Sequence, residues 1–213
     1  MIVYDIETIR PVRPHDDAHT LPDVEYADGW TDYTGMGIAC ICCYDYEADH
    51  FRVFGGSPPD LERFAALAAN RIVIGWNNHR FDDALLAAHG IDVVNSWDIK
   101  AALMRAGCGG QRGNSLEAFA RANLGGASKS MSGDMAPVWW QRGQHERVID
   151  YCLQDVNLTR RLLDRLIQKG ELASPLTGKP IRPAIPPELD RRGPMPSQAP
   201  APAIPCAAAP ATT

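Results

Sequence analysis

The sequence predicts an α/β protein in which a mixed β-sheet is flanked by α-helices and followed by a proline- and alanine-rich tail expected to be disordered. Three observations carry that expectation. Short apolar runs with strand character lie within the first 75 residues, and segments with apolar residues at three- and four-residue steps lie between 61 and 169. The composition then breaks near residue 170, where prolines accumulate. With 213 residues, 45% of them hydrophobic and 22% charged, the chain can bury one domain core.

The first strand is expected at residues 2 to 8, where Ile2, Val3, Tyr4 and Ile6 alternate with the carboxylates Asp5 and Glu7. Residues 10 to 35 carry prolines, aspartates, histidines and glycines without a period and are expected as an irregular insertion. Residues 36 to 46 and 50 to 54 read as two strands of a hairpin joined through Glu47-Ala48-Asp49. Pro58-Pro59-Asp60 has the prolines and the acid that favour a helix start, so a helix is expected over 61 to 70. Arg71-Ile72-Val73-Ile74-Gly75 is continuously apolar after its arginine, as a strand covered on both faces should be. Helices follow at about 80 to 89, 98 to 106, 115 to 123 and 145 to 169. Asn114 and Ser115 offer caps for the third of these, and Gly170 closes the last.

Eleven of the 17 prolines fall in residues 171 to 213 with few large apolar residues, so that segment is expected to be extended or disordered and removable from 175 onward without loss of stability. No apolar run reaches the roughly 18 to 20 residues that span a bilayer, and no secretory leader is evident, so a cytoplasmic protein without a membrane partner is expected. The formal charge of -5 excludes a general positive coat as the means of holding nucleic acid, though not a local basic rim. Arg105, Arg112, Lys129 and Arg142 are candidates for such a rim or are ordinary solvated charges.

Of six cysteines, three lie in Cys40-Ile41-Cys42-Cys43, too close along one strand to bridge each other readily. Neither Cys108, Cys152 and Cys206 nor the six histidines supply a second ligand pair at zinc-finger spacing, so buried free thiols are expected.

Three carboxylate groupings carry chemistry. Asp5 and Glu7 are two apart on a strand, so they share a face about 7 Å apart, either toward water or around a hard divalent cation. Asp82 follows a buried strand near a helix start, where it acts as a cap or faces a ligand at the strand ends. Tyr151 and Asp155 are four apart on the apolar face of the last helix, about 6 Å apart along its axis. An ionised aspartate aimed into a core needs a cation or a donor.

Taken in order, Asp5-Ile6-Glu7-Thr8, Asn78-x-x-Phe81-Asp82 and Tyr151-x-x-x-Asp155 resemble the three motifs of the DEDD superfamily of 3′-5′ exonucleases over residues 1 to 169. Tyrosine four residues before the last aspartate resembles the tyrosine (DEDDy) subgroup, which includes polymerase proofreading domains; the histidine subgroup would have a histidine where Asp150 stands. The resemblance implies a ribonuclease H-like fold over residues 1 to 170 ahead of the tail. It implies hydrolysis with two Mg²⁺ or Mn²⁺ ions held among Asp5, Glu7, Asp82 and Asp155, with Tyr151 orienting the attacking water. The product would be nucleoside 5′-monophosphates from a 3′ end, with DNA expected before RNA.

Thr8, Asn78 and Phe81 are the implied substrate contacts, and Trp76, Trp139 and Trp140 either stack on bases or belong to the core. Asp83 directly follows Asp82; the resemblance assigns the ligand to Asp82 and leaves Asp83 as a first-turn acid. A polymerase or another replication protein is the partner suggested. Two other readings are an RNA-trimming enzyme of the same fold and a non-catalytic binding module, although the latter has no use for four carboxylates and a tyrosine. An endonuclease or transposase of this fold would lack the tyrosine motif.

Overall fold

Alternation along the first strand sets the layers. β1 (Ile2–Thr8) sends Ile2, Tyr4 and Ile6 to one face and Met1 and Val3 to the other, and the two sets belong to separate buried clusters. Asp5 and Glu7 continue the second set. The computed structural model describes residues 1–109, 113–126 and 133–190, with elements in the order α1 (Tyr33–Met36), β2 (Ile38–Asp45), β3 (His50–Gly55), α2 (Pro58–Ala68), β4 (Val73–Gly75), α3 (Asp82–Ala88), β5 (Ser96–Asp98), α4 (Ile99–Arg105), α5 (Leu116–Asn123), α6 (Ala136–Gln141), α7 (His145–Lys169), β6 (Leu172–Ala173), β7 (Pro180–Ile181) and α8 (Pro187–Asp190).

The main sheet has the order β3-β2-β1-β4-β5. β2 runs antiparallel to β1 and β3 antiparallel to β2, while β4 and β5 are parallel. One face is covered by Phe64 of α2 with Leu85 and Leu86 of α3. The other packs on α4, α5 and the long α7, through Leu103, Phe119, Val156, Leu162 and Leu166. The result is the expected α/β architecture, a mixed sheet between helices, compatible with a ribonuclease H-like fold. Among the described residues no helix is long and apolar enough to cross a membrane.

Expected and observed elements differ where local signals are short. β5 is three residues long and its strand geometry comes from pairing with β4, so no period could reveal it. α6 is a six-residue helix with Pro137 in its first turn, inside a stretch that otherwise reads as irregular. The helix expected from residue 80 starts at Asp82, because residues 78–80 form a 3-10 turn entered through Asn77 at φ 71°.

The insertion, residues 10 to 35, is irregular but tied down. Val12 bridges to Ala27, Arg10 pairs with Glu25 at 2.8 Å, and Gln141 Nε2 donates to the carbonyls of Ile9 and Glu25 at 3.0 and 2.9 Å.

Residues 171 to 190 depart from the extended tail the prolines suggest. β6 and β7 pair as a short antiparallel ladder, and Leu172, Ile181 and Leu189 join the α7-side core. Spaced apolar residues among the prolines suffice because Asn123 clamps the ladder: its Nδ2 donates to the Ala173 carbonyl at 2.9 Å and its Oδ1 accepts from the Ala173 N–H at 2.8 Å. Residues 191 to 213, the rest of the expected tail, lie outside the described residues. Asn123→Ala should cost about 1–3 kcal/mol by leaving that backbone pair without partners. Thermal melts of this variant and of chains ending at Gly170 or Asp190 check the boundary: loss of stability is expected for the first two and not for the third.

Candidate active site

The site forms where two strands separate. β1 and β4 pair only through Ile2 with Val73 and Val3 with Ile74. Past that point the Ile6 N–H has no β4 carbonyl, and Asp82 Oδ1 accepts from it at 3.2 Å. Asp82, on α3, is thereby anchored to the backbone between Asp5 and Glu7, at the carboxyl end of β1 where parallel strands leave room for ligands. Burial is the main cause that pushes the Asp82 carboxyl up to about 8, with the Asp83 and Asp98 charges adding and the Ile6 N–H opposing.

The adjacent aspartate turns elsewhere. Asp83 accepts from the Tyr4 hydroxyl, from Ser96 Oγ at 2.8 Å and from Asn78 Nδ2 at 3.3 Å. Asp98, not singled out from the sequence, accepts from the N–H groups of Asn77, His79 and Ala101 at 3.1, 3.3 and 2.9 Å. It caps α4 and fixes the turn that leads to Asp82. Its only sequence signal is an acid three residues before a helical Ala101, an ordinary N-cap pattern.

α7 crosses β1 and β2 and brings the third carboxylate grouping. Tyr151 and Asp155 are both buried on its inner face. Burial first, and then the Asp155, Glu7 and Asp5 charges, hold the Tyr151 phenol well above its usual range, and it hydrogen-bonds to Asp155. Gly133 lies against this hydroxyl so closely that a Cβ there would stand 2.8 Å from it. Cys152, between the two motif residues, places Sγ 3.5 Å from Asp5 Oδ2 and 3.3 Å from the Asp5 carbonyl.

Part of this cluster could hold a metal ion. Asp5, Glu7 and Cys152 present potential ligand atoms within 4.8 Å of one another, and Asp82 and Asp155 adjoin them through Ile6 and Tyr151. Carboxylate oxygens suit Mg²⁺ or Mn²⁺, and an acid whose buried charge raises its pKa is a group that a cation would stabilise.

Beside Glu7 opens a cleft of about 320 Å³ lined by Thr8, Trp30, Phe81, Gly133 and Pro137 among others. Thr8 and Phe81, expected as substrate contacts, therefore border it, although the Thr8 hydroxyl donates to the Arg10 carbonyl at 3.2 Å. Asn78 is buried and turned toward Asp83 and Ser96, away from the cleft. Trp139 is buried and Trp76 and Trp140 pack on the same core, whereas Trp30, in the insertion and unremarked in the sequence, is 71% exposed at the cleft. Arg142 pairs with Asp23 at 2.9 Å, Arg105 ends α4, and Arg112 and Lys129 lie outside the described residues.

No family model and no curated protein matches this sequence. Among solved structures, the family B DNA polymerase from the hyperthermophilic archaeon Pyrobaculum calidifontis resembles it with a TM-score of 0.52 at 15% identity, over 89% of this chain and 26% of that one. The chain thus spans about a quarter of the polymerase's length, and the likeness is one of fold.

A buried acid with a raised pKa binds its proton more tightly folded than unfolded, so its stabilising effect is full below the unfolded value and is lost as pH rises through the folded one. Metal-free protein should therefore melt lower as pH rises from about 4 toward about 8, and Asp82→Asn should flatten that decline. Asp83→Asn should instead destabilise by roughly 1–3 kcal/mol without removing the pH-dependent decline, since it disturbs the acceptor shared by Tyr4 and Ser96. Melting curves in chelator separate the two aspartates.

Proposed function

We propose that this chain is a divalent-metal-dependent 3′-5′ exonuclease of the tyrosine DEDD type, releasing nucleoside 5′-monophosphates from the 3′ end of DNA. What supports it best is the pair Asp5 and Glu7 on β1, with Asp82 of α3 accepting from the Ile6 N–H between them and a protonated Tyr151 on α7 that feels the Asp155, Glu7 and Asp5 charges. The fold likeness to a DNA polymerase favours DNA over RNA.

Asp5, Glu7, Asp82 and Asp155 are the residues that would hold two Mg²⁺ or Mn²⁺ ions. Once bound, such ions supply Lewis acidity, lowering the pKa of the attacking water and offsetting charge on the phosphoryl oxygens. The protein's part is placement. Asp82 keeps one oxygen on the Ile6 N–H, so its orientation is set by the backbone before substrate arrives. Tyr151, held protonated by burial and the surrounding anions, acts as a hydrogen-bond donor that orients the water or the scissile phosphate, and not as the base. The terminal base enters the cleft beside Glu7, between Phe81 and the exposed Trp30, where stacking is tolerant of sequence.

End-labelled single-stranded DNA, duplex DNA and RNA incubated with Mg²⁺ or Mn²⁺ test this reading. A ladder shortening from the 3′ end with mononucleotide products is expected, strongest on DNA; internal cuts, or no cleavage with either ion, would overturn it. Asp5→Ala and Asp155→Ala should each lower turnover by at least about 10²-fold; Asp5→Ala should melt no lower than the parent, because removing one carboxylate relieves repulsion among the rest, whereas Asp155→Ala also takes a partner from the buried Tyr151 hydroxyl and should cost about 1–3 kcal/mol. Trp30→Ala should raise KM roughly tenfold with kcat nearly unchanged, since stacking on a ground-state base is lost.

A further inference from the structure

The Cys40-x-Cys42 motif is not used by the site above, and the fold gives it a third member. In the β1–β2 ladder Cys42 stands opposite Asp5 and Cys40 opposite Glu7, so both thiols lie on the face that α7 covers. Cys152 comes down from α7 onto them, and the three Sγ atoms all lie within 4.8 Å of one another. All three side chains are buried and all are free thiols. The described cysteines are the buried free thiols that the sequence suggests, and the fold adds what spacing could not show, a third thiol more than a hundred positions away.

We propose that Cys40, Cys42 and Cys152 form a second metal site, for a thiophilic divalent cation such as Zn²⁺ or Cd²⁺, chemically distinct from the carboxylate site and adjoining it through Cys152. Sulfur donors select soft and borderline cations against Mg²⁺, so the neighbouring sites do not compete for the same ion. Zinc–sulfur bonds of about 2.3 Å in a tetrahedral arrangement place sulfurs roughly 3.8 Å apart, which small rotations about the Cα–Cβ bonds reach from the present cluster. Two ligands two apart on a paired strand are held rigidly, and the third rides on a 25-residue helix packed across that strand. Three thiols yield three protons to solvent on ligation, so binding strengthens as pH rises. Asp5, half-buried and 3.5 Å from Cys152 Sγ, is the carboxylate next to the thiols.

The test titrates the reduced, chelator-treated full chain with Cd²⁺ in excess Mg²⁺ and follows sulfur-to-cadmium charge-transfer absorption. We expect saturation at one ion per chain, undisturbed by Mg²⁺. Cys40→Ala and Cys42→Ala should each remove about a third of the absorption and weaken Cd²⁺ binding at least about tenfold. Cys43→Ala, altering the thiol on the opposite face of β2, should leave both unchanged. Cadmium NMR of the parent chain counts sulfur ligands without any substitution, so a poorly folding variant does not decide the matter. No charge-transfer band, fewer than three sulfurs on cadmium, or a band insensitive to Cys40→Ala and Cys42→Ala would overturn the proposal. None of these readouts depends on nuclease activity, so this site and the proposed exonuclease stand or fall separately.

Discussion

The hydrogen bond from the Ile6 N–H to Asp82 is the contact on which the candidate site depends. β4 stops pairing with β1 after Val3, and a backbone donor left in that gap would be buried without a partner. Asp82 satisfies it and in the same act brings a carboxylate from α3 to the level of Asp5 and Glu7. A neutral acceptor would serve the backbone equally well and would spare the protein a buried acid beside other acids. Burial drives the Asp82 pKa to about 8, so ionising it in the folded chain costs stability that a neutral acceptor would not cost. A cation nearby would offset that cost.

The rigidity of that arrangement comes from two neighbouring acids that face away from it. Asp98 gathers three backbone N–H groups from the turn after β4 and the start of α4. Asp83 gathers the side chains of Tyr4, Asn78 and Ser96, from β1, the turn and β5. Since successive helical residues point about 100° apart, Asp82 and Asp83 can serve opposite sides of one turn. The pair therefore divides the work: Asp83 fixes where α3 begins, and Asp82 profits from that fixation.

Much of this was legible in the sequence, and the reasons differ by residue. Strand β1 and helix α7 announce themselves through period-two and three-four patterns that also show which face each carboxylate shares, because side-chain direction follows backbone geometry. The sequence sets Asp82 and Asp83 side by side, and only the fold shows that they take separate partners, the Ile6 N–H for the first and Tyr4, Asn78 and Ser96 for the second. What could not be read depended on contacts between distant segments. β5 exists by pairing with β4, Asn78 reads as a motif residue yet serves Asp83, and Trp30 borders the cleft in an insertion tied down by Gln141 and by the Arg10–Glu25 and Arg142–Asp23 pairs. The proline-rich segment misled for a related reason. Composition averages over 171 to 213, whereas packing needs only Leu172, Ile181 and Leu189 at the right places and Asn123 to hold the backbone.

The electrostatics around Tyr151 limit the chemistry open to it. Burial is the largest cause of its raised pKa, and the Asp155, Glu7 and Asp5 charges add to it. Positive charge at the carboxylates would cancel the second contribution and leave the first, because desolvation does not depend on the charge of the neighbours. The phenol accordingly stays protonated in either state of the site. Its one proton is directed by Asp155 and its oxygen is hemmed in by Gly133, so it can change hydrogen-bond partner but has little room to move. A phenol so placed is a hydrogen-bond donor and not a base, and any titration of this cluster near neutral pH must originate in the carboxylates.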